Sequence, residues 1–313
     1  MVGLDPSVKA NQTKQTQIQT IILDFVLDFQ DDNNITFDPT AAGRCLKDNN
    51  MNAVSATAVT LQSPLFLAFK YPKLNGVDVS KGLKKALIMQ YGDYFQRANF
   101  WQYVENTSYQ VLLTGVVDMP TKVIKVPNLV GIRRITAFCG PYGLIDLNFF
   151  DGVVRTEISS LKNDGLNPAQ ILPIMLTDSV EFCDPLPDNC FVGYHSSYQN
   201  AAGDLQTYVV ADFDTSGFLA ATAPRRFPLS HEVGEWMDDP VVSTPNKNGN
   251  TTPRWGSDTE NVGQVPKDFC QDTLGSRRSP LHGVTHLRAQ AVSGNAVQFH
   301  LTGACVFRLV LRR

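Results

Sequence analysis

Apolar and polar residues repeat along this chain with two periods, and the change of period marks out strands and helices. Thr20 to Phe29 is a short apolar run and predicts a strand. Tyr91–Val104 carries apolar residues at helical spacing. Tyr91, Tyr94, Phe95, Ala98 and Trp101 share one face, with Asp93 and Arg97 as an i,i+4 pair. This predicts an amphipathic helix with a core-facing aromatic stripe. Tyr109–Val117 and Lys122–Val130 alternate enough for two strands, and Gly140-Pro141-Tyr142-Gly143 predicts a turn. Asp146–Leu161 predicts a long helix, ended by Lys162-Asn163-Asp164-Gly165. Ala169–Phe182 contains a strand, which Pro173 places at an edge or a bend. Phe191–Tyr198 and Gln206–Phe213 predict two more strands joined by a Gly-Asp turn, and a helix around His231 stops at Pro240. Residues 1–19 predict a mobile polar lead-in. No repeat or linker divides residues 20–274, so one α+β domain with a mixed, twisted sheet is expected there.

Composition narrows the function classes. The 313 residues are 43% hydrophobic and 10% aromatic, which makes the chain globular. Only 18% are charged and the formal net charge is −3, so no basic surface for nucleic acid is expected. No run of 18 apolar residues predicts a membrane span. Few Glu and many Asn, Ser and Thr suit a secreted or extracytoplasmic protein, although the N-terminus lacks the layout of a signal peptide. Six cysteines allow 15 full pairings. Cys183 and Cys190 are the simplest pair, across the Pro-rich turn Asp184–Asn189.

The most informative motif is His231-Glu232-Val233-Gly234-Glu235. On a helix, His231 and Glu235 lie one turn apart on one face. H-E-x-x-H presents two zinc ligands in that way, with the adjacent Glu as general base. Here a carboxylate, also a zinc ligand, replaces the second His. His231 and Glu235 are therefore expected to hold the metal. Glu232 is expected to take the proton of a metal-bound water that attacks a peptide carbonyl. A carboxylate-rich site is hard in character, so Zn2+ is expected with other divalent ions as competitors. Glu260, 25 residues after Glu235, is the expected third ligand on a returning segment. Asp238 is expected to cap the helix end. His195, beside a predicted strand, is expected to be a hydrogen-bonded structural imidazole near the cleft. The bland account is a helix whose Glu232 and Glu235 favour its N-terminal dipole while Trp236 and Met237 face the core.

Gln90–Trp101, Gly193-Tyr194-His195-Ser196 and Leu229–Pro240, with Trp255-Gly256 and Gly263-Gln264-Val265, resemble a family of bacterial secreted proteins. Its members carry an H-E-V-G-E-W-x-x-D-P helix and look like zincin-type metallopeptidases. The resemblance covers residues 20–274. It implies a zincin-like fold, in which a sheet supports a backing helix and an active-site helix, and an edge strand beside the metal holds extended substrate. It also implies a secreted zinc-dependent hydrolase acting on a peptide or protein. The alternative is a non-catalytic secreted binding or surface protein that retains the fold. In the family, Cys-Gln is followed by L-E-V-G-D-P, whose Glu is a natural third ligand. This chain reads Cys270-Gln271-Asp272-Thr273-Leu274 and then departs. From Gly275 to Arg313 it has six Arg, three His and no Asp, Glu or Lys. A single-base insertion near Leu274 would produce such a switch, leaving residues 275–313 out of frame and this copy short of a ligand and inactive.

Overall fold

Strands predominate along the chain. First come β1 (Gln15–Phe29), β2 (Ile35–Phe37), β3 (Ala42–Lys47), β4 (Ala53–Ser55) and α1 (Ala56–Leu61). Next are β5 (Phe69–Lys70), β6 (Ile88–Met89), α2 (Tyr91–Asn99) and α3 (Trp101–Val104). β7 (Gln110–Asp118), β8 (Lys122–Val126), β9 (Gly131–Ile135) and β10 (Pro141–Asp146) lead into α4 (Leu147–Ser160). β11 (Ile171–Asp178), β12 (Val180–Cys183), β13 (Cys190–Phe191), β14 (Gly193–Gln199) and β15 (Leu205–Phe213) lead to α5 (Phe227–Asp238). β16 (Arg288–Val292) and β17 (Ala296–His300) pair with each other. The structure, a computed structural model, describes residues 2–31, 35–47, 52–74, 76–135, 139–219, 227–238, 240, 288–292 and 296–300. The protein is α+β. No helix among the described residues is long and apolar enough to cross a membrane.

By internal contacts the chain forms two compact units. Of the described residues, those within 19–62 and 115–232 form one, and those within 1–18, 63–114 and 233–310 form the other. The first unit is organised by a sheet of order β14-β15-β11-β1-β2, with β7 and β8 also paired to β1. β11 runs parallel to β1 and to β15, whereas β14 is antiparallel to β15 and ends the order. Alternate residues choose the faces. Phe25, Leu27, Met175, Tyr208 and Val210 pack with Phe150, Val154 and Ile158 of α4. Their neighbours Ile22, Leu172, Ile174, Val209 and Ala211 point the other way and are equally buried. Burial on both faces explains the near-continuous apolar runs of β1 and β11.

Several boundaries follow from local chemistry. The Asp146 carboxylate accepts the Phe149 N–H at 2.9 Å and starts α4. Gly165, at φ 76°, closes the following turn by donating to the carbonyls of Leu161 and Lys162. β1 begins at Gln15, ahead of the expected Thr20. Residues 15–19 alternate between exposed and half-buried, so their polar side chains conceal the strand. β8 ends at Val126, short of the expected Val130.

Two expectations are overturned. Gly140–Gly143 is not a turn: Pro141 opens β10, which pairs antiparallel with β9 and parallel with β12. Gly143 is small because Phe29 lies over it; a Cβ there would meet Phe29 Cζ at 2.6 Å and Phe37 Cε2 at 3.2 Å. Gly143→Ala is expected to cost about 1–3 kcal/mol. The check is a lower urea midpoint at unchanged slope; an unmoved midpoint would mean that the Phe29 ring yields freely. Pro173, expected at an edge, stands in β11 between β1 and β15. It pairs with Ile21 on one side, and the ladder to β15 begins only at Ile174, so the missing N–H precedes the second ladder.

In the second unit the predicted helix is broken at Phe100 into α2 and α3. Every residue of α2 is buried, so its polar face is covered as well as its apolar one. Its charged pair does not bridge. The Asp93 carboxylate accepts from Val111 N and Gln110 Nε2, while Arg97 reaches five backbone carbonyls.

Candidate metal centre

The motif helix is α5. Leu229, Val233, Trp236 and Met237 are buried on it, Glu232 is buried, His231 is half-buried and Glu235 is exposed. A helix turns about 100° per residue. Glu235 therefore projects about 40° from His231 and about 60° from Glu232, between the two. All three occupy one arc, as the sequence implied.

The opposing element is β14. Its alternate residues serve different partners. Tyr194 and Tyr198 face α4. Asp151 on α4 accepts from Tyr194 Oη at 3.3 Å and from Tyr208 Oη, and it pairs with Arg155 at 2.7 Å. The Arg155 guanidinium lies over the Tyr198 ring at 5.0 Å. Burial raises the Tyr194, Tyr198 and Tyr208 phenols above their usual range, so they stay protonated donors. This network pins the edge strand from one side. The turn Asn200–Asp204 closes it from its end: the Asn200 side chain accepts from Ala202 N and Asp204 N, and Gly203 takes φ 85°. Upstream, a disulfide joins Cys183 of β12 to Cys190 of β13, the pair the spacing suggested.

Gly193 and His195 therefore face away from α4, towards α5. His195 Nδ1 lies 3.3 Å from Glu232 Oε2, and both side chains are 9% exposed. Gly193 leaves room for the carboxylate; a Cβ there would meet Glu232 Cγ at 3.0 Å. Glu235 follows on the same continuous helix. Ligand atoms of His195, Glu232 and Glu235 all lie within 4.8 Å of one another. Among the described residues, this is the group of His, Cys, Asp and Glu side chains placed to share an ion, and His231 is not in it. One imidazole and two carboxylates suit zinc or a harder divalent ion. His195, expected as a structural imidazole, is the histidine that meets the helix acids. The signal in the sequence was its alternation with Tyr194 and Tyr198, which sends it to the opposite face. Glu260 lies outside the described residues, and Asp238 is the last residue of α5.

A second acidic cluster went unnoticed in the sequence. Asp178 ends β11, and Asp212 and Asp214 lie at the end of β15 or just after it. Asp178 accepts from Thr215 and Ser179. Asp214 accepts from the N–H groups of Gly217, Phe218 and Leu219 and from Ser216 Oγ. Asp212 accepts from Thr177 Oγ1 and Val180 N. Burial, with the charge of Asp214 adding to it, pushes Asp178 up to about 7. Burial, followed by the charge of Asp178, raises Asp212 well above the carboxylate range. Asp178 and Asp212 accept from each other's segments and Asp214 from its own loop, so the cluster is a structural clasp that ties the ends of β11 and β15 together.

No family model, curated protein or solved structure matches this chain.

Proposed function

We propose that the chain is a zincin-like, metal-dependent hydrolase that acts on peptide bonds in an oxidising, extracytoplasmic setting. One observation carries the reading: an antiparallel edge strand brings an imidazole onto the acidic arc of the His231–Glu235 helix, with three ligand atoms within 4.8 Å. The donor types fit a divalent ion of the zinc class. Such an ion, when bound, polarises a carbonyl and makes water a nucleophile near neutral pH. The chain supplies the rest. Carboxylates on α5 hold charge in place, and a titratable group on the same arc moves the proton. β14 ends the sheet order and so offers backbone groups along which an extended peptide can align. The Cys183–Cys190 bridge, with Cys139 also disulfide-bonded, supports the oxidising compartment.

The purified chain is expected to cleave an unfolded protein substrate at neutral pH. A zinc chelator should stop the reaction and added Zn2+ should restore it. Glu235→Gln should lower the rate at least about 100-fold, as expected for loss of a group acting in the transition state. Cleavage that persists in excess chelator and in Glu235→Gln would defeat this reading. Metal binding without turnover would favour a binding protein of the same fold.

A further inference from the structure

A carboxylate that serves as a general base must be held as well as present: one oxygen faces the reacting water while the other is fixed. The H-E-x-x-E spacing implies Glu232 as that base, beside a cation held by His231 and Glu235. We infer that His195 is a positioning residue for Glu232. Its imidazole, presented by β14, holds one carboxylate oxygen and so aims the other at the water that attacks the peptide carbonyl. The inference rests on the metal-dependent reading above and names the residue that orients its base.

The contact is direct. His195 Nδ1 lies 3.3 Å from Glu232 Oε2, and both side chains are 9% exposed. A carboxylate taken so far from water needs a donor, and a proton on Nδ1 supplies one. Hydrogen bonds of catalytic groups are often long without substrate and shorten in the reacting complex. The rest of the carboxylate meets Gly193, two residues earlier on the same face of β14. A Cβ there would stand 3.0 Å from Glu232 Cγ and 3.3 Å from Oε1, so the glycine leaves that oxygen its space. One strand thus sets both oxygens, His195 by contact and Gly193 by having no side chain.

The strand is built to keep that imidazole still. Gly193 and His195 pair with Ala211 and Val209 of β15, both fully buried. On the opposite face Tyr194 is tied to Asp151 of α4. Around α5, Glu232 projects about 100° from His231, on the flank that meets His195. Glu235 places a ligand atom within 4.8 Å of both His195 and Glu232, so base and ligand face one space. In the reaction, Glu232 takes a proton from the attacking water as the water oxygen bonds the carbonyl carbon. It passes that proton to the amide nitrogen as the C–N bond breaks, which leaves a carboxylic acid and an amine and restores the carboxylate. His195 exchanges no proton in this sequence; it sets where Oε1 points.

The test uses the full chain supplied with ZnCl2, and fluorescein-labelled casein as substrate. Elemental analysis counts bound zinc, calorimetry gives its affinity, and thermal melts confirm folding. His195→Leu is expected to lower kcat at least about 30-fold, with KM and zinc affinity each within a factor of about five. His195→Asn, whose amide offers an N–H donor near the place of Nδ1, should bring kcat back to within about fivefold of wild type. Glu232→Gln should lower kcat at least about 100-fold, and adding His195→Leu to it should cost less than about threefold more, because both act through one carboxylate. Gly193→Ala, which presses a methyl on Glu232 Cγ and spares every donor, should lower kcat about tenfold with zinc retained, and it stands in if His195→Leu does not fold. An unchanged kcat in His195→Leu, or in Gly193→Ala where it stands in, overturns the inference and leaves the hydrolase standing. So does a His195→Asn no better than His195→Leu, or full multiplication of the two losses in the double variant. Loss of zinc from the folded His195 variants also overturns it, and makes the imidazole a ligand. A wild-type chain without zinc-dependent cleavage defeats both this assignment and the reading beneath it.

Discussion

Replacing Arg97 by alanine is expected to unfold the unit that contains α2, at a cost of about 3–5 kcal/mol. Arg97 is 0% exposed and carries its charge into the core without an ion pair. It is satisfied by backbone alone. Nε donates to Val79 O at 2.6 Å and Nη1 to Tyr109 O at 2.6 Å. Nη2 reaches Lys81 O at 3.0 Å, Val104 O at 3.2 Å and Thr107 O at 3.4 Å. The guanidinium thus holds together the chain before α2, the end of α3 and the start of β7. Its removal leaves buried carbonyls without donors as well as a cavity. Lysine should rescue little, because one ammonium cannot reproduce the planar fork of donors. Equilibrium denaturation read by near-ultraviolet circular dichroism measures the loss. A cost under about 1 kcal/mol for Arg97→Ala would show that water replaces the guanidinium, contrary to the burial described.

Stability is expected to fall as pH rises from 5 to 8, the reverse of what ion-paired carboxylates produce. Burial pushes Asp178, Asp24 and Glu181 up to about 7 and Asp93 up to about 6. Asp212 is raised further. A carboxyl whose pKa is raised in the folded state favours folding most below its unfolded value, near 4. That contribution is lost as pH climbs through the folded value. For Asp178 a move from 3.8 to about 7 corresponds to about 4 kcal/mol at about 1.4 kcal/mol per unit. Asp178 and Asp212 share one field, so their contributions do not add. The thermal midpoint should be highest near pH 5 and decline through pH 8. Asp212→Asn should flatten the decline and raise the midpoint at pH 8, because it removes a carboxyl that folding must protonate while keeping the oxygen that accepts from Thr177 and Val180. A midpoint that climbs between pH 5 and pH 8, with Asp212→Asn less stable at both, would contradict this account.

Much of the secondary structure was legible because its causes are local. The apolar part of β1 from Thr20 to Phe29, the helix capped by Asp146 and closed at Gly165, and the paired strands around Asn200–Asp204 follow from side-chain period and turn chemistry. The Cys183–Cys190 pair and the helix carrying His231, Glu232 and Glu235 are also short-range features. Burial of polar residues was not legible in the same way. Asp93 and Arg97, read as an i,i+4 pair on a helix surface, each found backbone partners inside the fold. Nothing in the local pattern marks Asp178 or Asp212 as buried. Pro173 argued for an edge, because sequence alone does not show that one ladder of β11 starts after it.

The candidate site divides along the same line. The amino-acid order by itself determined that His231, Glu232 and Glu235 project from one arc of a helix, since a turn of 3.6 residues leaves them no other geometry. Only the tertiary structure decided which histidine meets those acids. His195 and Glu232 are 37 residues apart, and their meeting depends on sheet order, on the antiparallel register of β14 with β15 and on the α4 network that turns His195 to the opposite face. Local periodicity encodes the direction of a side chain along its own element; what stands across from it is settled by how elements far apart in the chain pack.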